Sequence, residues 1–175
     1  SGLMVAAKSD EVQKALQDLI RLRVLDRRYV VLVHGYVAHD KGTIVTGIAR
    51  STRDRLRMTV TDDPAARESI TTYTTLERFE AGRRDEGYSL LECHLYTGRT
   101  HQIRVHMASL GHPVCGDPIY GFQRSGAGNC PLMLHARELH IRHPKTGEEM
   151  NFVAEPPQDY AAVLERLRRE SGKNV

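Results

Sequence analysis

Residues 95 to 121, LYTGRTHQIRVHMASLGHPVCGDPIYG, hold the densest chemistry in the chain and decide how the rest is read. Thr97-Gly98-Arg99-Thr100 is a turn that closes a strand, and Thr100 stands where a helix N-cap belongs, its hydroxyl placed to accept a backbone N–H. Ile103, Met107 and Leu110 follow at i, i+4 and i+7, an apolar stripe that predicts a short helix packed on a core. His101 and Arg104 fall on one flank of that stripe, Gln102 and His106 on the other, and Gly111 ends the helix. The first turn of a helix presents unpaired N–H groups and a partial positive charge, and Arg99 adds a full charge beside it. This corner therefore suits an anion, either a phosphate or a protein carboxylate.

The run TGRTHQIRVHMASLGHPVCGDPIYG resembles the third sequence motif of the RluA-type pseudouridine synthases, which isomerise uridine in ribosomal or transfer RNA. Three further stretches resemble the same family in order. Ser1 to Lys8 (SGLMVAAK) is similar to the segment after its catalytic motif, and Arg28 to Gly35 (RYVVLVHG) to its tyrosine motif. Leu132 to Ala136 (LMLHA) with His143-Pro144 is similar to its closing strand pair. The family's nucleophile is an aspartate in an H-R-L-D motif shortly before S-G-L. Nothing precedes Ser1 here, so the resemblance implies a single catalytic domain over residues 1–175, truncated just after its nucleophile. Such a chain is expected to bind RNA without isomerising it. Asp26, in Leu25-Asp26-Arg27, lacks a following S-G-L and reads as a turn residue.

Outside the motif, size and composition bound the possibilities. The 175 residues suffice for one core without disulfides or metals. Three cysteines, an odd number with no C-x-x-C, point to neither a disulfide framework nor a zinc ribbon, and so to a reducing, cytoplasmic setting. No apolar run approaches membrane-spanning length. A net charge of +3, supplied mainly by arginine, fits a polyanionic partner.

The remaining segments supply the frame. Gly2 to Ala7 reads as a strand leading into a helix with Asp10 and Gln13 as a capping box and Val12, Leu16, Leu19 and Ile20 as its packed stripe. Tyr29 to Val33 is a continuous β-prone run, the pattern of a strand buried on both faces. GTIVTGIAR, RLRMTV and SITTYTTLERF are strand candidates between polar turns, with Arg50, Arg53, Arg55 and Arg57 either meeting a phosphate backbone or forming a solvated face. Arg83 to Gly87 is a charged loop, Tyr88 to Tyr96 a strand, and Gly121 to Gly128 a mobile surface loop. Leu132 to Arg142 and Glu149 to Ala154 form a hairpin with Met150, Phe152 and Ala154 inward, and Asp159 caps a last helix packed through Tyr160, Val163, Leu164 and Leu167. Short strands with three helices between them predict an α+β fold on a mixed, mainly antiparallel sheet flanked by helices. The family resemblance implies the same core.

Nine histidines invite a metal reading. His101 and His106 lie roughly 140° apart on a helix of ~3.6 residues per turn, so they cannot easily share an ion. His112 and Cys115 leave a loop-assembled metallohydrolase open as an alternative, and an RNA-binding module without chemistry is another. What the resemblance implies is different: Tyr29 lies against the target base and moves a proton, Arg99 pairs with the catalytic carboxylate, and Leu134 lines the base pocket. Thr100, His101, Gln102 and Arg104 brace the motif or touch RNA. It also implies no cofactor or metal, RNA as the partner, a monomer, and a target uridine flipped from its stack.

Overall fold

The computed structural model describes residues 1–80, 86–121 and 130–172. The expected loops at Arg83 to Gly87 and Gly121 to Gly128 fall largely outside that set. Helix α1 spans Asp10–Arg21; strands β1 (Asp26–His34), β2 (Lys41–Arg50), β3 (Met58–Thr61), β4 (Arg67–Phe79) and β5 (Tyr88–Leu95) follow. Then come α2 (Gln102–Ser109), β6 (Leu134–Arg142), β7 (Glu149–Val153) and α3 (Gln158–Ser171). The strands form one sheet in the order β3-β2-β4-β5-β1-β6-β7. Every neighbouring pair is antiparallel. The mixed character expected from the sequence reduces to a single parallel bridge, Gly2 with Ala136.

Strand β1 lies inside the sheet because its run of valine and leucine can be covered on both sides; Val31, Leu32 and Val33 are wholly buried. Residues directly opposite one another in an antiparallel pair point to the same face. Tyr29 is opposite Cys93 and Ala136, and Cys93 is opposite Tyr73, so these four share one face. Helix α2 lies on that face through His106 and Gln102, which bond to Thr71 two residues before Tyr73. Helix α1 covers the far end of the same face, its Leu16, Leu19 and Ile20 packing with Leu139, the partner of Arg27. Helix α3 takes the other face, where Tyr160 meets the His135 ring and Arg168 forks onto Glu77. The Tyr29 face is thus a trough between α1 and α2.

Several local expectations are corrected. Residues 2–7 form no strand beyond the Gly2 bridge; their pairing with β6 stops at Leu3. The cap of α1 is Ser9, whose hydroxyl accepts from Val12 N, while Asp10 sits in the first helical turn. Helix α3 starts behind Pro157, with Asp159 one residue inside. Phe152 on edge strand β7 points to the expected face, opposite Leu139, but is 40% exposed there. Asp26 begins β1 and is not a turn residue; His94 and Arg28 hold its carboxylate on the face opposite Tyr29.

Candidate active site

Tyr29 stands half-buried on the trough floor, beside a cavity of about 200 Å³ walled by Leu3, Met4, Val5, Ile20 and Leu25. Among the described residues its hydroxyl has no protein hydrogen bond. Burial raises the phenol pKa, and the nearby Arg27 cation opposes that rise. Leu134 lies on the same face, opposite Val31 at the start of β6, and packs against the main core. The chain's first residues run along this strand. Ser1 Oγ bonds His135 Nδ1 at 3.0 Å and Leu3 N donates to the Ala136 carbonyl at 2.9 Å. Only glycine fits between them: Gly2 has φ +97°, and a Cβ there would overlap the Ala136 carbonyl.

The opposite wall is the turn Thr97 to Thr100. Its shape is held by Gln102, which is 2% exposed and uses its whole amide. Oε1 accepts from the Thr97 hydroxyl at 2.8 Å and from the Arg99 backbone N–H at 3.0 Å, while Nε2 donates to the Ile70 carbonyl and to Thr71 Oγ1, both at 3.0 Å. The network continues inward: Thr71 Oγ1 is 2.9 Å from His106 Nδ1, and His106 Nε2 is 3.0 Å from Thr46 Oγ1. With Gln102 already donating to Thr71, the arrangement that satisfies all four groups has the Thr71 hydroxyl donating to Nδ1 and Nε2–H donating to Thr46. That is neutral imidazole, and burial lowers the His106 pKa to about 4.

Arg99 is half-buried and gives its Nε to the Glu68 carbonyl at 3.1 Å. Among the described residues no carboxylate lies within ion-pair distance of it. With exposed Thr100 and Arg50 it lines an open cavity of about 480 Å³. The expected N-cap role of Thr100 falls instead to His101, which has φ +58° and makes no side-chain cap bond. A left-handed histidine is a strained choice, held here by Tyr120, whose hydroxyl sits 3.0 Å from His101 Nδ1 and accepts from Met58 N. Arg104 forks onto Asp117 through two bonds of 2.7 Å and stacks 5.2 Å from the Tyr120 ring. Burial works to raise the Asp117 pKa, but Arg104 and the N–H groups of Tyr120 and Ile119 outweigh it and hold the carboxylate low.

Of the residues expected to brace the motif or touch RNA, Gln102 and Arg104 therefore brace, His101 joins two loops, and Thr100 faces solvent. The stripe Ile103 and Met107 is buried as expected, whereas Leu110 lies beyond the helix end and is 45% exposed. The metallohydrolase alternative gains no support. His101, His106 and His112 point to separate partners, the last donating Nδ1–H to the His34 carbonyl.

One residue escaped the sequence reading. Arg27, two before Tyr29 on the same face, reaches along the floor from the tyrosine to the turn. Its Nη2 donates to the Leu95 carbonyl at 3.4 Å, and a Cβ at Gly98 would come within 2.7 Å of its Nη1. The sequence offers no local signal that singles it out, since Asp26 and Arg28 flank it on the same strand. Tyr29, Arg27 and the Gly98-Arg99 turn thus form one continuous surface.

The model of a family described as RNA pseudouridylate synthase matches residues 1–109. The chain is 42% identical over 169 residues to an uncharacterized RNA pseudouridine synthase, YlyB, of Bacillus subtilis, covering 97% of this chain and 53% of that protein. It is 38% identical over 189 residues to the ribosomal large subunit pseudouridine synthase D of Xanthomonas campestris, covering 99% of this chain and 53% of that one. The chain thus spans about half the length of these curated relatives. Among solved structures, the human RNA pseudouridylate synthase domain containing 1 superposes with a TM-score of 0.68 at 26% identity, over 93% of this chain and 73% of the other.

Proposed function

Since this chain belongs to the RNA pseudouridylate synthase family, we propose that residues 1–175 are the catalytic unit of an enzyme converting uridine to pseudouridine in RNA, with large-subunit ribosomal RNA the first substrate to test. One observation carries the reading. Ser1 to Leu3 are seated on β6 beside the partner of Tyr29, so a carboxylate borne just upstream enters the same trough that Tyr29, Leu134 and the Arg99 turn enclose. In that arrangement the carboxylate attacks the nucleoside and Arg99, unpaired with any described carboxylate, orients it through a bidentate fork. The N1–C1′ bond of the flipped uridine breaks, and the freed uracil packs against Leu134 and Tyr29, turns, and rejoins carbon 1′ through carbon 5 as the bond to the carboxylate is released. The Tyr29 hydroxyl, without a hydrogen-bond partner among the described residues, is available to move the proton released at carbon 5. Thr100 and His101 face the RNA at the rim, and Gln102 and Arg104 hold the rim in place.

We further place the enzyme in the cytoplasm as a monomer acting on RNA. Among the described residues no helix is long and apolar enough to cross a membrane, and Cys93, Cys115 and Cys130 are unbridged thiols, two of them buried. The test is nucleoside analysis of unmodified ribosomal and transfer RNA after incubation with the product of the complete gene and with the 175-residue chain. Pseudouridine formed by the complete product supports the reading. RNA binding with no pseudouridine from it would select a binding module instead.

A further inference from the structure

Arg27 is the least satisfied charge in the trough. Its Nε is buried without a hydrogen-bond partner, and the long bond from Nη2 to the Leu95 carbonyl is the only one it makes among the described residues. No described carboxylate lies within 4.0 Å of it, although most other arginines of the sheet pair with one, as Arg28, Arg78 and Arg142 do. The cavity beside it is walled mainly by apolar side chains. A guanidinium kept in such a place at the cost of its hydration has an anion missing from its surroundings. Desolvation lowers its pKa, in keeping with that environment.

Resting on the function proposed above, we infer that Arg27 is a phosphate receptor, taking a backbone phosphate of the bound RNA at or next to the flipped uridine. Arg27 and Tyr29 are two residues apart on one strand face, about 7 Å along the strand. That spacing approximates the reach from a base to its own phosphate, so a base stacked on Tyr29 brings a phosphate over Arg27. The planar fork suits two phosphate oxygens at once. The close approach of Nη1 to Gly98 explains why the turn carries glycine there: a side chain would push the guanidinium out of line. Arg99 is left for the carboxylate, so the two cations divide the two anions between them.

The test uses a stem-loop RNA containing the uridine found modified by the complete gene product, together with a set of the same RNA in which one phosphate at a time is a neutral methylphosphonate. Affinity for each is measured with wild type, Arg27→Gln and Arg27→Lys, with thermal melting as the check on folding. Arg27→Gln is expected to weaken binding roughly 10- to 100-fold, as loss of a charged hydrogen bond does, and to lower the salt slope by about 0.7 to 0.9. One methylphosphonate near the target should cost wild type a similar factor and cost Arg27→Gln almost nothing. Arg27→Lys should keep the salt slope and lose part of the affinity, and it decides the matter if Arg27→Gln melts early. If every linkage costs the variants what it costs wild type, or if Arg27→Gln slows turnover with unchanged affinity, the phosphate assignment is wrong while the isomerase reading stands. Absence of any RNA binding by wild type would overturn both.

Discussion

Replacing Gln102 by leucine removes the amide at the centre of the motif while keeping its volume. The Ile70 carbonyl still accepts from Tyr96 N at 3.2 Å, and Thr71 keeps its contact with His106. The Thr97 hydroxyl proton and the Arg99 backbone N–H lose the one acceptor they have among the described residues. Each group left unsatisfied costs about 1–3 kcal/mol, less some gain from the added apolar surface, so a net loss of about 2–4 kcal/mol is expected. For a domain of this size that lowers Tm by roughly 5–15 °C. Melting by circular dichroism, paired with turnover of the complete gene product below the melting range, separates two roles. A brace loses Tm and also turnover, because Arg99 is no longer held. Unchanged Tm with weakened RNA affinity would refute the argument and make Gln102 a substrate contact.

His106, neutral when buried, should make the fold acid-sensitive. Its folded pKa of about 4 lies below the ordinary 6.5, so the unfolded chain binds the extra proton between those values. Stability is then full above pH 6.5 and falls as pH drops towards 4, by about 2 kcal/mol at pH 5. Urea unfolding of His106→Gln should show less of this dependence, and an equal slope in both proteins would count against it. Tyr29→Phe should fold with Tm nearly unchanged and lose most turnover in the complete gene product; wild-type turnover would remove the hydroxyl from the chemistry. Arg99→Lys keeps the charge but not the fork, and turnover should drop on the order of 10² or more, whereas full activity would reduce Arg99 to a diffuse charge.

Strand positions were largely legible because β-branched runs and polar turns are local signals. Met58–Thr61 and Arg67–Phe79 lie where RLRMTV and SITTYTTLERF placed them. What failed was whatever depended on a distant partner. Residues 2–7 have strand propensity but gain only one bridge, since propensity does not supply a neighbour. Gln102 and His106 looked like the polar flank of a helix, yet both are buried, because Thr46, Thr71 and Thr97 converge on them from elements up to about 60 residues away. Arg27 went unnoticed for the same reason: its role is visible only once Gly98 and Leu95 are seen across the strand pair.

The place of β1 in the sheet also governs how the protein can be made. Its two neighbours are β5 and β6, so β1 waits for strands made much later in the chain before both its edges are occupied. Between the emergence of Val33 and that of Leu134 a ribosome adds roughly 100 residues, about 5–20 s of synthesis. Throughout that interval at least one edge of Tyr29-Val30-Val31-Leu32-Val33, a short apolar β-prone segment of the kind that adheres to other chains, lacks its partner. Early arrival of β5 shields one edge and leaves the other bare. Slow decoding between residues 96 and 133 would lengthen the exposure, so yield of soluble protein should respond more to translation speed there than in the codons for α3.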